Sequence, residues 1–178
     1  HRFADDSGIG ELAQLINSGD AKGTLQLLQS ARDDLHWQAQ PDQQALLQRL
    51  EDGYLPYLNS AREGDAASAF AAFNQFRALC AQREGDWGVI GLNQAMEEQI
   101  KRRYRIAERE RWYPGRAVMV RQNDYALGLF NGDIGLCLRA DDGLRVFFES
   151  SDGAASYRSF APARLPSHDS AFAMTVHK

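Results

Sequence analysis

No apolar run in this sequence approaches the roughly 18–20 residues that a membrane helix needs. No basic segment followed by an apolar one opens the chain as a secretory leader would. A cytoplasmic protein without membrane contact is the expectation. Cysteine is scarce: Cys80 and Cys137 stand alone, each in an apolar, strand-like run, "RALCAQ" and "IGLCLR". Two cysteines without motif spacing argue for neither a metal site nor a disulfide framework, so buried free thiols are expected.

Catalytic signatures are missing as well. There is no G-x-x-x-x-G-K-[ST] loop, so nothing here can cradle a triphosphate alone. H-E-x-x-H, C-x-x-C and G-x-S-x-G are all absent. The four histidines, His1, His36, His168 and His177, are not spaced with one another or with a cysteine as metal ligands would be. No metal site and no self-contained active site are expected. The acidic pair Glu97-Glu98 reads as a solvated helix face.

What is present is an ordinary globular composition, 44% hydrophobic and 25% charged over 178 residues, enough to bury a substantial core. Charge is uneven. Residues 1–100 carry seven Lys and Arg against fifteen Asp and Glu, whereas residues 101–178 carry thirteen against nine. That asymmetry hints that the C-terminal part meets an anion such as nucleic acid.

Residues 1–110 read as mostly helical. Ile9, Leu12, Ala13, Leu15 and Ile16 fall on one helical stripe, with Ser7 as N-cap and Gly19 as stop. Asp20 can cap a second helix burying Leu25, Leu27 and Leu28. A longer helix from Asp42 carries Leu46, Leu47, Leu50, Tyr54 and Leu58, and is expected to kink or split at Gly53 and Pro56. "DAASAFAAFNQF" is an Ala-rich helix, and "FRALCAQ" suits a buried strand. A loop and helix over "REGDWGVIGLNQAMEEQIKRRYRI" complete an α/β pattern, in which ligands often bind after the strand.

At "RWYPGR" the helical period stops. Four strand-like runs follow: "RAVMVRQ", "DIGLCLR", "LRVFFES" and "SYRSFAP". Asn131-Gly132, Asp142-Gly143 and Asp152-Gly153 mark tight turns between them. This spacing predicts a small antiparallel barrel. "LPSHDSAFAMTVHK" then reads as a single buried strand returning to the first layer.

Two stretches suggest chemistry. "KRRYRIAERERWYPGR" opens a segment, residues 101–121, with eight Lys and Arg against two Glu. Tyr104, Trp112 and Tyr113 are interleaved. Basic residues contact phosphates and aromatic rings stack on unpaired bases, although a solvated helix end complementing the helix dipole accounts for the same charges. "VRQNDYALGLFNGDIG" clusters Arg121, Gln122, Asn123 and Asp124 on a long hairpin loop. Hydrogen bonding to nucleic acid is one use for them.

Together these pieces resemble RecD, the alpha subunit of exodeoxyribonuclease V (the RecBCD nuclease complex), a family of superfamily 1 DNA helicases. "HRFADDSGIGELAQLINSGD" looks like the helicase motif IV region. "NDYALGLFNGDIG" looks like the signature entering the family's inserted barrel, and "AMTVHK" like the start of motif V. "LCAQREGDWGVIGLN" resembles the strand and loop before the insertion. The resemblance implies an α/β fold: a partial RecA-like domain, 2A, with a helical N-terminal part over residues 1–115. An inserted SH3-like β-barrel, 2B, would occupy 116–166, and the return strand 167–178. It implies ATP hydrolysis with Mg²⁺, 5′-to-3′ movement on single-stranded DNA, RecB- and RecC-like partners, and a role in bacterial DNA repair and recombination. Arg2 matches the motif IV arginine that binds nucleotide and stabilises charge in phosphoryl transfer. Thr175 and His177 match motif V positions that couple DNA to the nucleotide site. Arg121, Asn123 and Asn131 are further DNA-binding candidates on the barrel. Walker A, Walker B and the motif VI arginine are absent, and motif V stops after its Lys. An excised fragment that is inactive alone is therefore expected. The alternatives are an interaction module docking to RecB- or RecC-like partners, and a piece of another RecD-like superfamily 1 helicase.

Overall fold

The computed structural model describes residues 7–30, 32–40, 42–150 and 156–176. The chain divides into two compact units, His1–Asp42 and Gln43–Lys178.

The first unit holds α1 (Gly8–Ser18) and α2 (Ala21–Gln29). Both start as the sequence predicts. The Ser7 hydroxyl accepts the Gly10 N–H at 3.0 Å and Asp20 accepts that of Gly23 at 2.9 Å, each satisfying an orphan donor of the first turn. Gly19 ends α1 at φ +76°, a left-handed position that costs glycine little. Within this unit Leu27 is buried but Leu25 is exposed. Residues two apart lie on nearly opposite faces of a helix, so α2 cannot bury both against one neighbour.

The second unit is a mixed α/β fold. It runs α3 (Gln43–Glu63), α4 (Ala66–Gln75), β1 (Ala78–Cys80), α5 (Val89–Tyr104), β2 (Ala117–Val120), β3 (Ile134–Ala140), β4 (Gly143–Glu149), β5 (Tyr157–Phe160), a 3₁₀ turn (Pro162–Arg164), β6 (His168–Ser170) and β7 (Ala173–Thr175). α3 does not split at Pro56; it is a single helix of 21 residues. Tyr54, Tyr57 and Leu58, on both sides of the proline, are all fully buried. Tyr54 and Tyr57 pack on Phe73 at ring distances of 5.7 and 4.9 Å. Burying such side chains gives roughly 1.5–3 kcal/mol each, enough together to offset the hydrogen bond that the proline removes. Gly53 allows close packing of another kind: a Cβ there would lie 2.6 Å from the Phe76 ring.

β1 and β7 pair in parallel, with Ala78 opposite Ala173 and Cys80 opposite Thr175. Between them the chain builds a second sheet in the order β5-β4-β3-β2-β6, antiparallel throughout. Gly132 and Gly143 adopt the positive φ that the Asn131-Gly132 and Asp142-Gly143 turns predict; Asp152-Gly153 lies outside the described residues. One face of this sheet joins the main core through Ala117, Leu136 and Leu138. The other has its own small core of Val118, Val120, Leu129, Cys137, Val146 and Phe148.

Two expectations are corrected here. The inserted sheet is open rather than a closed barrel: among the described residues β5 pairs only with β4 and β6 only with β2. Its edge strands, β5 and β6, are four and three residues long. The last segment is also two strands, not one. β6 stays with the inserted sheet, and Ala171 still donates to Ala117 O at 3.0 Å. The chain changes sheets at Phe172. Asn93 on α5 fixes that change: its Oδ1 accepts the Phe172 and Ala173 N–H groups at 2.8 and 3.0 Å, and its Nδ2 donates to Ala173 O at 2.9 Å. The Tyr54 hydroxyl donates to Phe172 O at 2.5 Å.

Candidate functional site

The loop that leaves β1 and the end of β7 lie together at the carboxyl end of the parallel pair. In open parallel sheets that edge is where ligands bind. Thr175 ends β7, exposed, and the Val176 N–H donates to Cys80 O at 3.2 Å. Arg83 stands in the loop three residues beyond Cys80. Its guanidinium donates to Asp169 of β6 at 3.3 Å, and Arg121, just after β2, donates to the same carboxylate. One pocket of about 330 Å³ at this junction is lined by Arg83, Asn93, Glu97, Asp169 and Ser170, among others.

Glu97 is not the solvated acid that its sequence suggests. It is half-buried and accepts from Arg116 at 3.0 Å and from the Ser170 hydroxyl at 2.5 Å. Arg116 in turn lies 4.6 Å over the Trp112 ring, which packs on His168 at 5.2 Å. Glu98 does face solvent.

The β2–β3 hairpin carries three of the sequence candidates together: Arg121, Asn123 and Asn131. Asn123 is a staple within it. Its Oδ1 accepts the Asn131 N–H at 2.8 Å, and its Nδ2 donates to the Tyr125 hydroxyl at 3.4 Å. Asp124 accepts the Leu127 N–H at 3.0 Å, and Asp133 that of Phe130 at 2.8 Å. Arg158 of β5 donates to the carbonyls of Leu127 and Gly128 at 3.2 and 2.9 Å. These bonds tie the hairpin to itself and to β5, and it presents Tyr125 and Phe130 to solvent, 80% and 46% exposed, with ring centroids 6.0 Å apart. Thr175 lies on the other sheet, apart in sequence. Arg2 and His177 lie outside the described residues.

The basic run divides by role. Lys101, Arg102 and Arg103 form the last turn of α5, where cations complement the helix dipole. Arg103 pairs at 2.7 Å with Glu51, whose side chain is 5% exposed. Lys101 donates to Glu108 O at 3.0 Å. Arg102, Arg105, Arg109 and Arg111 face solvent.

Both thiols are buried, as expected. Burial raises the Cys80 pKa and pushes that of Cys137 up to about 12. Neither is a nucleophile at neutral pH. Among the described residues no group of three His, Cys, Asp or Glu could hold a metal, and no helix is long and apolar enough to cross a membrane.

Sequence reasoning missed Arg83, Asp169 and Asn93. Each is a single polar residue in an otherwise loop-like or amphipathic stretch, and its partners lie 48 to 86 positions away.

Fold and site define a mixed α/β protein whose polar candidate surface gathers at the carboxyl end of parallel strands, beside an inserted antiparallel sheet. No family model matches the chain. It is similar over its whole length to RecBCD enzyme subunit RecD of Mycolicibacterium smegmatis, 31% identical, and of Mycobacterium tuberculosis, 32% identical. To the same subunit of Haemophilus influenzae it is 30% identical over 99% of its length. The chain belongs to the RecD family. It spans 30–31% of the length of these relatives.

Proposed function

We propose that the chain is part of the motor of an ATP-dependent 5′-to-3′ DNA helicase, the RecD subunit of exodeoxyribonuclease V, acting in double-strand break repair and recombination. The observation that carries this reading is likeness to RecD subunits along the whole chain. The parallel pairing of β1 and β7 across an inserted sheet supports it, because a RecA-like 2A sheet interrupted by a 2B insertion has that form. The order β5-β4-β3-β2-β6, with a 3₁₀ turn between β5 and β6, supports an SH3-like arrangement in open form. In this reading 2A comprises 1–115 and the final strand. The insertion begins at 116 and runs on through β6, beyond residue 166.

Single-stranded DNA would run past the carboxyl end of β1 and β7 and the β2–β3 hairpin. Thr175, Arg121, Asn131 and the exposed rings of Tyr125 and Phe130 would meet it there, with Asn123 holding the hairpin in shape. Arginines would engage phosphates and the rings would stack on bases. The residues present do not suffice to hold ATP and Mg²⁺, because the phosphate loop that cradles a triphosphate is absent from the sequence. The rest of the site and the RecB- and RecC-like partners belong to the parent enzyme, which is bacterial and cytoplasmic in this reading.

The pure chain is expected to turn over no ATP and to bind single-stranded DNA weakly and in a salt-sensitive way. ATP turnover that co-purifies with the chain through successive columns would sink the proposal. A second reading, docking to a RecB- or RecC-like partner, is favoured by the exposure of Tyr125 and Phe130. Charge reversal at Arg121, which is exposed on the proposed DNA path, separates the two. Loss of DNA binding with partner binding intact supports the first reading; the opposite result supports the second.

A further inference from the structure

Asp169 joins two guanidiniums that come from different parts of the fold. Arg83 belongs to the loop after β1, Arg121 follows β2, and Asp169 is the middle residue of β6, opposite Met119. Both arginines converge on one oxygen. Arg83 Nη2 lies 3.3 Å from Asp169 Oδ2, and Arg121 Nη1 donates to the same Oδ2. All three side chains remain open to solvent, 52%, 39% and 41% exposed for Arg83, Arg121 and Asp169. Glu97, the other acid lining the pocket with Arg83 and Asp169, is already committed to Arg116 and Ser170.

One carboxylate oxygen is a poor partner for two guanidiniums. Each presents a planar fork of N–H donors suited to an anion that can offer it more than one oxygen. A carboxylate holds its two oxygens close together in one plane, whereas the two unesterified oxygens of a phosphodiester spread from a tetrahedral phosphorus and can give arginines from two different elements one each. Ion pairs this exposed are weak, and a competing anion can displace them. We propose that Arg83 and Arg121 form a two-pronged phosphate site, which Asp169 fills as an internal anion until a backbone phosphate of single-stranded DNA takes its place. The inference rests on the DNA-binding reading above. It adds Arg83 to the binding surface and gives Asp169 a definite role: it keeps the two arginines together and lowers affinity for weakly held anions. A phosphate seated there would tie the loop after β1 to the inserted sheet through the nucleic acid.

Asp169→Asn preserves the shape of the side chain and removes the competing charge. In the 178-residue chain, affinity for a fluorescent oligo-dT is expected to rise about three- to tenfold at low salt. The slope of log affinity against log salt should steepen by about 0.7. Asp142→Asn removes the same charge from the β3–β4 turn, where Asp142 pairs with Arg145 at 3.0 Å, and should change affinity less than about twofold. Arg83→Ala, in an exposed loop, should weaken binding and abolish the gain when combined with Asp169→Asn. If Asp169→Asn does not fold, Arg83→Ala alone decides. Equal gains from the two Asn variants, or no loss from Arg83→Ala, overturn the phosphate site and leave DNA binding standing. No binding by the wild-type chain or by Asp169→Asn overturns it together with the reading on which it rests.

Discussion

Asn93→Ala should be among the most damaging single substitutions in the second unit. Asn93 is 6% exposed and makes three hydrogen bonds to the backbone where the chain passes from the inserted sheet to β7. Truncation leaves two N–H groups and one carbonyl without those partners at a buried position. A buried polar group left unsatisfied costs about 1–3 kcal/mol, and a satisfied bond contributes about 1 kcal/mol net. Partial access of water to the vacated space keeps the sum near the lower end, about 3–5 kcal/mol. For a protein of this size about 1 kcal/mol moves Tm by roughly 2–4 °C, so a drop on the order of 10 °C is expected in thermal unfolding followed by circular dichroism. Gln94→Ala is the control. Gln94 is exposed on the same helix and bonds only across one turn, to Glu98 at 3.0 Å. It should move Tm by about 1 °C or less. If Asn93→Ala melts within about 2 °C of wild type, the claim that this side chain fixes the sheet change is wrong.

Tyr54→Phe should cost about 1 kcal/mol by removing the hydroxyl that donates to Phe172 O while keeping the ring packing; an unchanged urea midpoint would contradict this. Cys80 and Cys137 should resist thiol reagents at neutral pH and react together on unfolding, because burial raises both pKa values; labelling of either in the native protein would refute it. Asp65 caps α4, and hydrogen bonds from Ser68 hold its carboxyl below the ordinary carboxylate range. A lowered folded pKa means that the stability it gives is present above about pH 4 and is lost as pH falls through that range. Asp65→Asn should therefore flatten the acid limb of a stability-against-pH curve, and an identical limb in the variant would refute the cap's contribution.

Much of the local structure is legible because its causes are local. Ser7, Gly19, Asp20 and the Asn131-Gly132 and Asp142-Gly143 turns act within a few residues of themselves, and the structure carries each where the sequence predicts it. The strands around Cys80 and Met174 are legible from apolar run length. The change of sheet at Phe172 is not. "DSAFAMT" is continuous in character, and the break is imposed by Asn93 and Tyr54, 79 and 118 positions away. Barrel closure fails for a similar reason: strand spacing is written in the sequence, but edge pairing depends on strand tilt and register set in three dimensions. For the site, sequence gathered the hairpin candidates but not Arg83 and Asp169, whose bond spans 86 positions.

In the proposed reading this chain supplies DNA contacts to a RecD-type motor. Titration of fluorescent oligo-dT with the pure chain, from about 50 to about 200 mM salt, tests it most directly. Measurable binding is expected at the low end, falling linearly in log affinity against log salt, with weaker binding for Arg121→Ala at every salt concentration. No binding at low salt, or binding indifferent to both salt and Arg121, would contradict it.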